Sequence, residues 1–377
     1  MSPTALLRDA GLRASSARTE TPFGIHQIIT AAAPGDAITN VALEFQSVLQ
    51  MAAPSEIYAR HVAPELAGKV RHLREFSRHD RRGVLLYHAS IGEPSITSFL
   101  RARTEPLVLV YHNVTPAHYF EPWAPEFAEL LDLGRRELDS LRDRVRLTIA
   151  DSAFNAAELY EIGYRDIRIV PPVIDPRRLL DMTPDAGTLN YLDTQLGMPF
   201  VLFVGQLVPH KRPELLIDAM HVARTYHAFP AFLLLVGPHR FKSYANSVIR
   251  HVRELNLPTA HIVGGVPDAN LAAMFRRARA MVTVSEHEGF CVPLVEAMAF
   301  GLPIVATANA AIPEVVGDGG LLLPPTAGPA LVAEALMRVV DDPDLRRDLA
   351  ERGRRRVANF DRDRTRQLLL EMLMDVF

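Results

Sequence analysis

The sequence predicts an α/β protein made of two doubly wound, parallel-sheet halves. Three observations carry that prediction. Short apolar, β-branched runs alternate with segments of helical spacing, an aperiodic stretch at 177–199 interrupts them, and the alternation restarts at Phe200. Strands alternating with helices build parallel sheets covered on both faces, and 377 residues exceed one ordinary core.

In the first half, Gly24–Ala32 is short and β-branched and reads as a strand, broken by Pro34-Gly35-Asp36. Ala37–Met51 follows with apolar residues at helical spacing. Ser55–Tyr58, Val84–His88, Leu107–Tyr111, Leu147–Ala150 and Ile167–Val170 repeat the strand pattern. In such a sheet ligands gather at the carboxyl ends of strands. The residues just past a strand are therefore the candidates here: Gly35, His88, Ser90, His112, Asn113 and Ser152. His112 ends an apolar run and is expected to point into a crevice; the alternative is a histidine that only caps the strand or orders the next loop.

From Arg177 to Pro199 no period holds, and Pro184, Gly187, Gly197 and Pro199 interrupt the chain, so the linker belongs there. The expected domains are 1–176 and 200–360, with a C-terminal helix at 361–377. Strands are expected at Phe200–Gly205, Phe232–Val236, His261–Val263, Met281–Val284, Ile304–Ala306 and Leu321–Leu323. Helices are expected near Glu214–Thr225, Ser243–Leu255, Asn270–Arg279, Pro329–Val340 and from Pro343 onward, and Asp361–Phe377 is amphipathic.

Composition narrows the function. Hydrophobic content of 48% and charged content of 23% are those of a globular enzyme. A net charge of -3 gives no reason to expect a nucleic-acid partner. The single cysteine, Cys291, excludes an intrachain disulfide and favours a reducing compartment. Residues 1–23 lack the apolar core of a secretory signal, and no apolar run reaches the ~18 residues of a membrane span. The expectation is a cytoplasmic protein with at most a peripheral contact at the inner membrane face.

The chemistry concentrates between Val284 and Gly301, V-S-E-H-E-G-F-C-V-P-L-V-E-A-M-A-F-G. The apolar run from Ala280 ends in a polar loop, and Pro293 and Gly301 bracket a run of helix formers. Glu288 then lies in the loop and Glu296 one turn into the helix. They flank a helix N-terminus, whose free N–H groups and dipole favour an anion. A ligand with hydroxyls on both sides of a diphosphate, a sugar nucleotide, suits that combination.

Glu-x7-Glu followed by A-M-A-F-G-L-P, with P-E-V-V-G-D-G-G from Pro313, closely resembles the signature of the retaining glycosyltransferases of family 4, which have the GT-B fold. The resemblance implies two Rossmann-like domains facing across a cleft, with the C-terminal helix crossing back to the first. It implies that Glu288 lies by the transferred sugar, that Glu296 accepts hydrogen bonds from ribose hydroxyls, and that the N–H groups around Phe290, Cys291 and Val292 face the diphosphate. Family members carry a comparable His-Asp or His-Asn near the donor sugar, which maps onto His112-Asn113; the acceptor would enter near Gly35 and Asn113.

Gly205-Gln206-Leu207-Val208-Pro209-His210-Lys211 matches the loop in which an arginine and a lysine grip the diphosphate, but Gln206 stands where the arginine usually is. Lys211 is thus expected to be indispensable, with Arg212 or His210 as the candidates to compensate. Gly264-Gly265-Val266-Pro267 resembles the base-contacting turn. Cys291 replaces a common glycine and reads as a small residue admitting close backbone approach rather than as a nucleophile. Asp341-Asp342-Pro343-Asp344 reads as a helix cap rather than a metal motif, and no metal or other cofactor is expected.

The expected activity is transfer of a hexosyl group from a nucleoside-diphosphate donor, GDP-mannose or a UDP-hexose by analogy, to a glycan or lipid-linked acceptor with retention, in polysaccharide or glycolipid assembly. The alternatives are a nucleotide-sugar isomerase or phosphorylase of the same fold, or a non-catalytic partner subunit that binds the nucleotide sugar.

Overall fold

The computed structural model describes residues 23–77 and 83–374. The expectations for the N-terminal segment before Phe23 and for the last three residues lie outside that range. The chain divides into two compact units, one of residues up to Pro116, Glu129–Ile174 and Arg362 onward, the other of Ala117–Ala128 and Asp175–Asp361.

The first unit is built on a parallel sheet of β1 (Gly24–Ala32), β2 (Ile57–Val62), β3 (Arg71–His72), β4 (Gly83–Ala89), β5 (Leu107–Tyr111), β6 (Val145–Ala150) and β7 (Ile167–Ile169), in the order β3-β2-β1-β4-β5-β6-β7. β1 is buried almost throughout because both faces are covered, so its apolar residues are not confined to alternate positions, and His26 and Gln27 are buried among them. β2 begins later and runs further than its apolar stretch. The carbonyls of Pro54 and Glu56, just before it, accept from the Ile25 and Gln27 N–H groups of β1, and β2 continues through Arg60 and His61 near the sheet edge. The helix Ala37–Leu49 starts where the Asp36 side chain accepts the Thr39 N–H at 2.9 Å. The C-terminal helix, Arg362–Met374, buries Leu369 and Leu373 in the core containing Phe45 and Val48, and Arg362 pairs with Glu44.

The second unit repeats the plan with β8 (Phe200–Val204), β9 (Phe232–Val236), β10 (Ala260–Gly264), β11 (Ala280–Thr283), β12 (Ile304–Thr307) and β13 (Gly320–Leu323), all parallel in the order β10-β9-β8-β11-β12-β13. Strand order reverses between β1 and β4 in the first sheet and between β8 and β11 in the second, where Val201 pairs with Ala280 and Leu202 with Met281. A crevice forms at such a reversal because the flanking helices leave in opposite directions.

Two boundaries depart from the sequence expectation. The stretch 177–199 is not a linker: it forms helices Arg178–Asp181 and Ala186–Asn190 and a π-helical turn Tyr191–Leu196 within the second unit. Asp185 caps the second helix through the Thr188 N–H at 2.7 Å, Asn270 donates to the Thr188 hydroxyl at 2.7 Å, and Leu192 and Leu196 are buried. The segments are too short to show a helical period. Likewise residues 117–128, expected in the first half, belong to the second unit, where Phe120 and Phe127 meet Phe241 and Trp123 meets Tyr244. Sequence position does not reveal where such rings find apolar partners.

Candidate functional site

The candidate residues fall into two groups, one at the carboxyl ends of the strands in each unit. In the second unit, the loops after β8 and β11 are tied together. The Glu286 N–H donates to the His210 carbonyl at 2.8 Å, the Arg212 guanidinium meets Glu286 at 2.9 Å, and Lys211 Nζ sits 2.7 Å from Glu288 Oε1. Gly205 makes room for this: a Cβ there would lie 3.2 Å from Cδ of Lys211 and 3.3 Å from its Nζ. Burial opposes charge on both partners, yet mutual attraction wins. The Glu288 carboxyl is held below the usual range and the Lys211 ammonium above it. Of the two residues named as substitutes for the missing arginine, Arg212 is paired with Glu286, and burial beside Lys211 pushes His210 down to about 3, leaving it neutral. Gln206 is half-buried.

The helix Val292–Phe300 starts just past Glu288. The N–H groups of Phe290, Cys291 and Val292 take no acceptor among the described residues. Cys291 is buried with φ of 77°, a left-handed conformation that suits glycine. Burial and the nearby Glu288 push its thiol well up, which is incompatible with a resting thiolate nucleophile. Phe290 is buried with its ring edge-on to Phe360 at 5.5 Å.

Glu296 lies in the second turn of that helix, where burial pushes its carboxyl up to about 7; Asp268 adds to the rise and Arg178 opposes it. Arg178 bridges the two acids, pairing with Asp268 while its Nη2 lies 3.8 Å from Glu296 Oε1. Sequence reasoning missed Arg178 and Asp268, which sit in the stretch read as linker and at the start of a helix. Gly264, with φ of 86°, ends β10 and its carbonyl accepts the Gly237 N–H at 2.8 Å; a Cβ on Gly265 would make ordinary contact with Pro238 at 3.9 Å, and Val266 is partly buried.

In the first unit, His112 is the middle of a buried polar chain. Its Nδ1 lies 2.8 Å from Asp151, its Nε2 lies 2.8 Å from His88 Nδ1, His88 Nε2 lies 2.8 Å from Gln27 Oε1, and Gln27 Nε2 donates to the Ala42 carbonyl at 3.0 Å. The imidazoles are nearly parallel with centroids 5.1 Å apart, so with ring nitrogens in contact they meet edge to edge in almost one plane. The chain ends on an acceptor at each side. Two neutral histidines and the amide supply three hydrogens for four bonds, so the geometry requires one more proton. Burial, together with His112, keeps His88 well below its ordinary value, so the extra proton belongs to the His112–Asp151 end. Sequence reasoning singled out His88 and His112 separately; the buried Gln27 in an apolar strand was the overlooked sign that partners converge.

Asn113, at φ of 77°, turns its amide to Asn155 at 2.9 Å and Glu158 at 2.6 Å, so its side chain is held within a local polar cluster. Gly35, at φ of 73°, is exposed at the tip of the loop after β1. Asp342 accepts from the N–H groups of Asp344 and Leu345 at 3.0 and 2.9 Å, so it caps the helix that follows. Among the described residues no three His, Cys, Asp or Glu side chains converge in a metal-ligating group, and no helix is long and apolar enough to cross a membrane.

Comparison with known proteins places this geometry. The sequence model of the family described as "Glycosyl transferases group 1" matches residues 192–356. O-antigen chain mannosyltransferase B of Escherichia coli is 32% identical over 253 residues, which span 65% of this chain and 64% of that protein. Sucrose-phosphate synthase of Thermosynechococcus elongatus superposes with a TM-score of 0.72 at 19% identity, covering 94% of this chain and 99% of that one. HepE of Anabaena, solved with UDP and glucose, also gives 0.72, at 17% identity over 93% of this chain and 100% of its own. At these identities the structural likeness is one of fold, the two-domain Rossmann-like GT-B architecture.

Proposed function

We propose that the protein transfers a hexosyl group from a nucleoside-diphosphate sugar to an acceptor hydroxyl with retention at the anomeric carbon, a reading supported by the match of residues 192–356 to the glycosyl transferases group 1 family. The observation that carries this reading is the convergence of Lys211, Glu288 and the free N-terminus of the Val292–Phe300 helix at the strand-order reversal of the second sheet, with Glu296 in the next turn.

An ammonium has three N–H donors, so Lys211 can hold Glu288 with one and give two to phosphate oxygens. The leaving diphosphate gains negative charge as the glycosidic bond breaks, and a cation at 4 Å is then worth at most ~4 kcal/mol in a partly wet site. The helix N-terminus adds about half a charge. Glu288, its charge sustained by Lys211, accepts from sugar hydroxyls, and Glu296 does the same for the ribose. No residue is assigned as general base, since in retention of this type the leaving phosphate takes the acceptor's proton. The reading needs no metal or other cofactor. Donors named on the relatives, mannosyl and UDP-glucose types, support a hexose, and O-antigen assembly supports a glycan or lipid-linked acceptor.

The test is calorimetric screening against UDP, GDP, ADP and their sugars, followed by product analysis with the binding donor and hexoside or lipid-linked acceptors. A donor that binds and yields a glycoside of unchanged anomeric configuration is expected. Conversion of the donor alone, or binding of none, would refute the proposal.

A further inference from the structure

The second unit has another concave site that plays no part in that reaction. A cavity of about 570 Å³ is lined by Arg276, Arg277, Arg279, Arg346 and Arg347, with Phe300 on its apolar side. Arg279 leads directly into β11, and Pro303, also in the lining, leads into β12. The cavity thus lies at the amino ends of these strands, whereas Lys211 and Glu288 follow the carboxyl ends of β8 and β11.

Not all the positive charge is compensated. Asp193 takes Arg277 in a bidentate pair at 2.7 and 2.9 Å, and Asp344 takes Arg347 at 2.8 Å. Arg276 donates instead to the carbonyls of Leu180 and Met182, at 2.5 and 3.1 Å, and its guanidinium lies 5.7 Å from the Phe300 ring centroid. Arg346 donates to the carbonyls of Val339 and Val340. Capping carbonyls at helix ends is an ordinary structural role, but those ends offset only about half a charge each. Arg279 lacks even that: it is exposed, and among the described residues no carboxylate lies within ion-pair distance. Three cations sharing one concavity repel one another, and a bound anion would relieve that repulsion.

We propose that this cavity binds a phosphate-bearing anion, with Arg276, Arg279 and Arg346 as its cationic wall and Phe300 as its apolar side. A phosphate or pyrophosphate places two or more charges on one compact group and matches the planar fork of guanidinium, which a lone carboxylate does less well. The volume is that of a site for a phosphorylated small molecule. The same chemistry is offered by a free phosphorylated metabolite or by a lipid headgroup.

Inorganic pyrophosphate titrated into the full chain at low ionic strength tests this, with the Lys211→Met/Glu288→Gln protein used to remove the charge pair at the other end of the sheet. Pyrophosphate binds that variant, and adding Arg279→Glu weakens binding on the order of tenfold. Absence of binding, or equal affinity with and without Arg279→Glu, overturns the proposal. If Arg279→Glu lowers the melting temperature, Arg279→Gln replaces it and must still weaken binding. Sedimentation with phosphatidylglycerol/phosphatidylcholine vesicles, against phosphatidylcholine alone, separates the two sources. Arg279-dependent pelleting with the anionic vesicles assigns a headgroup; pyrophosphate binding without pelleting assigns a free anion.

Discussion

The Lys211 ammonium lies 2.7 Å from the Glu288 carboxylate, with side chains only 14% and 10% exposed. The two residues are 77 positions apart and come together because β8 and β11 are neighbours at the point where strand order reverses. The residue expected to grip the leaving group and the one expected to orient the sugar are thus a single electrostatic unit.

Removing either partner leaves a buried charge uncompensated. Lys211→Met is expected to lower stability by about 3–5 kcal/mol, whereas Lys211→Met/Glu288→Gln regains most of that loss. Both proteins should lack turnover. Thermal unfolding and activity measured on the same samples check this. Equal melting temperatures for the single and double variants would show that an unpaired Glu288 carboxylate costs nothing there.

Glu296, with its carboxyl near 7 in the folded protein, controls a pH dependence. A carboxyl raised above its unfolded value of ~4.3 binds more protons folded than unfolded, so its contribution to stability falls as pH rises from about 4.5 to 7. Ribose hydroxyls donate to the carboxylate form. Nucleotide binding should therefore release a proton near neutral pH and tighten as pH rises through that window. Calorimetry in buffers of different ionisation enthalpy measures the release, and Glu296→Gln should abolish it. Arg178→Ala removes the charge opposing the rise and should move the midpoint upward.

Cys291 holds a left-handed backbone in a position where its thiol is buried and protonated. Cys291→Gly relieves about 1–2 kcal/mol of backbone strain, partly offset by the lost side-chain packing, and should retain turnover. Cys291→Val, β-branched at positive φ, should lower the melting temperature. A Cys291→Gly protein that folds but is inactive would restore the thiol to the chemistry.

The polar chain from Gln27 to Asp151 is short of one hydrogen unless the His112–Asp151 pair carries one more proton. Nitrogen-resolved NMR of the imidazoles at neutral pH should show a proton on His112 Nε2, in its bond to His88, and one on His88 Nε2, in its bond to Gln27. Gln27→Glu gives His88 an ionised acceptor and should leave that pattern intact, whereas Asp151→Asn should remove the extra proton from that end of the chain. A bare His112 Nε2 beside a protonated His88 Nδ1 would contradict the hydrogen-bond directions.

Legibility of the sequence followed the range of the forces involved. The strands β1, β4, β5, β8 and β9 are buried on both faces and therefore dominated by apolar residues, so they stood out. The loop-to-helix stretch from Glu288 to Gly301 was equally plain, because a proline near a helix start and a glycine just past its end act within a few residues. These local signals, with the motif they frame, determined the fold class, the two-unit plan and the candidate acids. What only the tertiary structure decided was which charges face each other. Lys211 is neutralised by Glu288, Arg178 joins Asp268 to Glu296, and His112 is held by Asp151 and His88. Each pairing depends on strand order, and no sequence period encodes it, since Coulomb energy follows distance in space rather than separation along the chain.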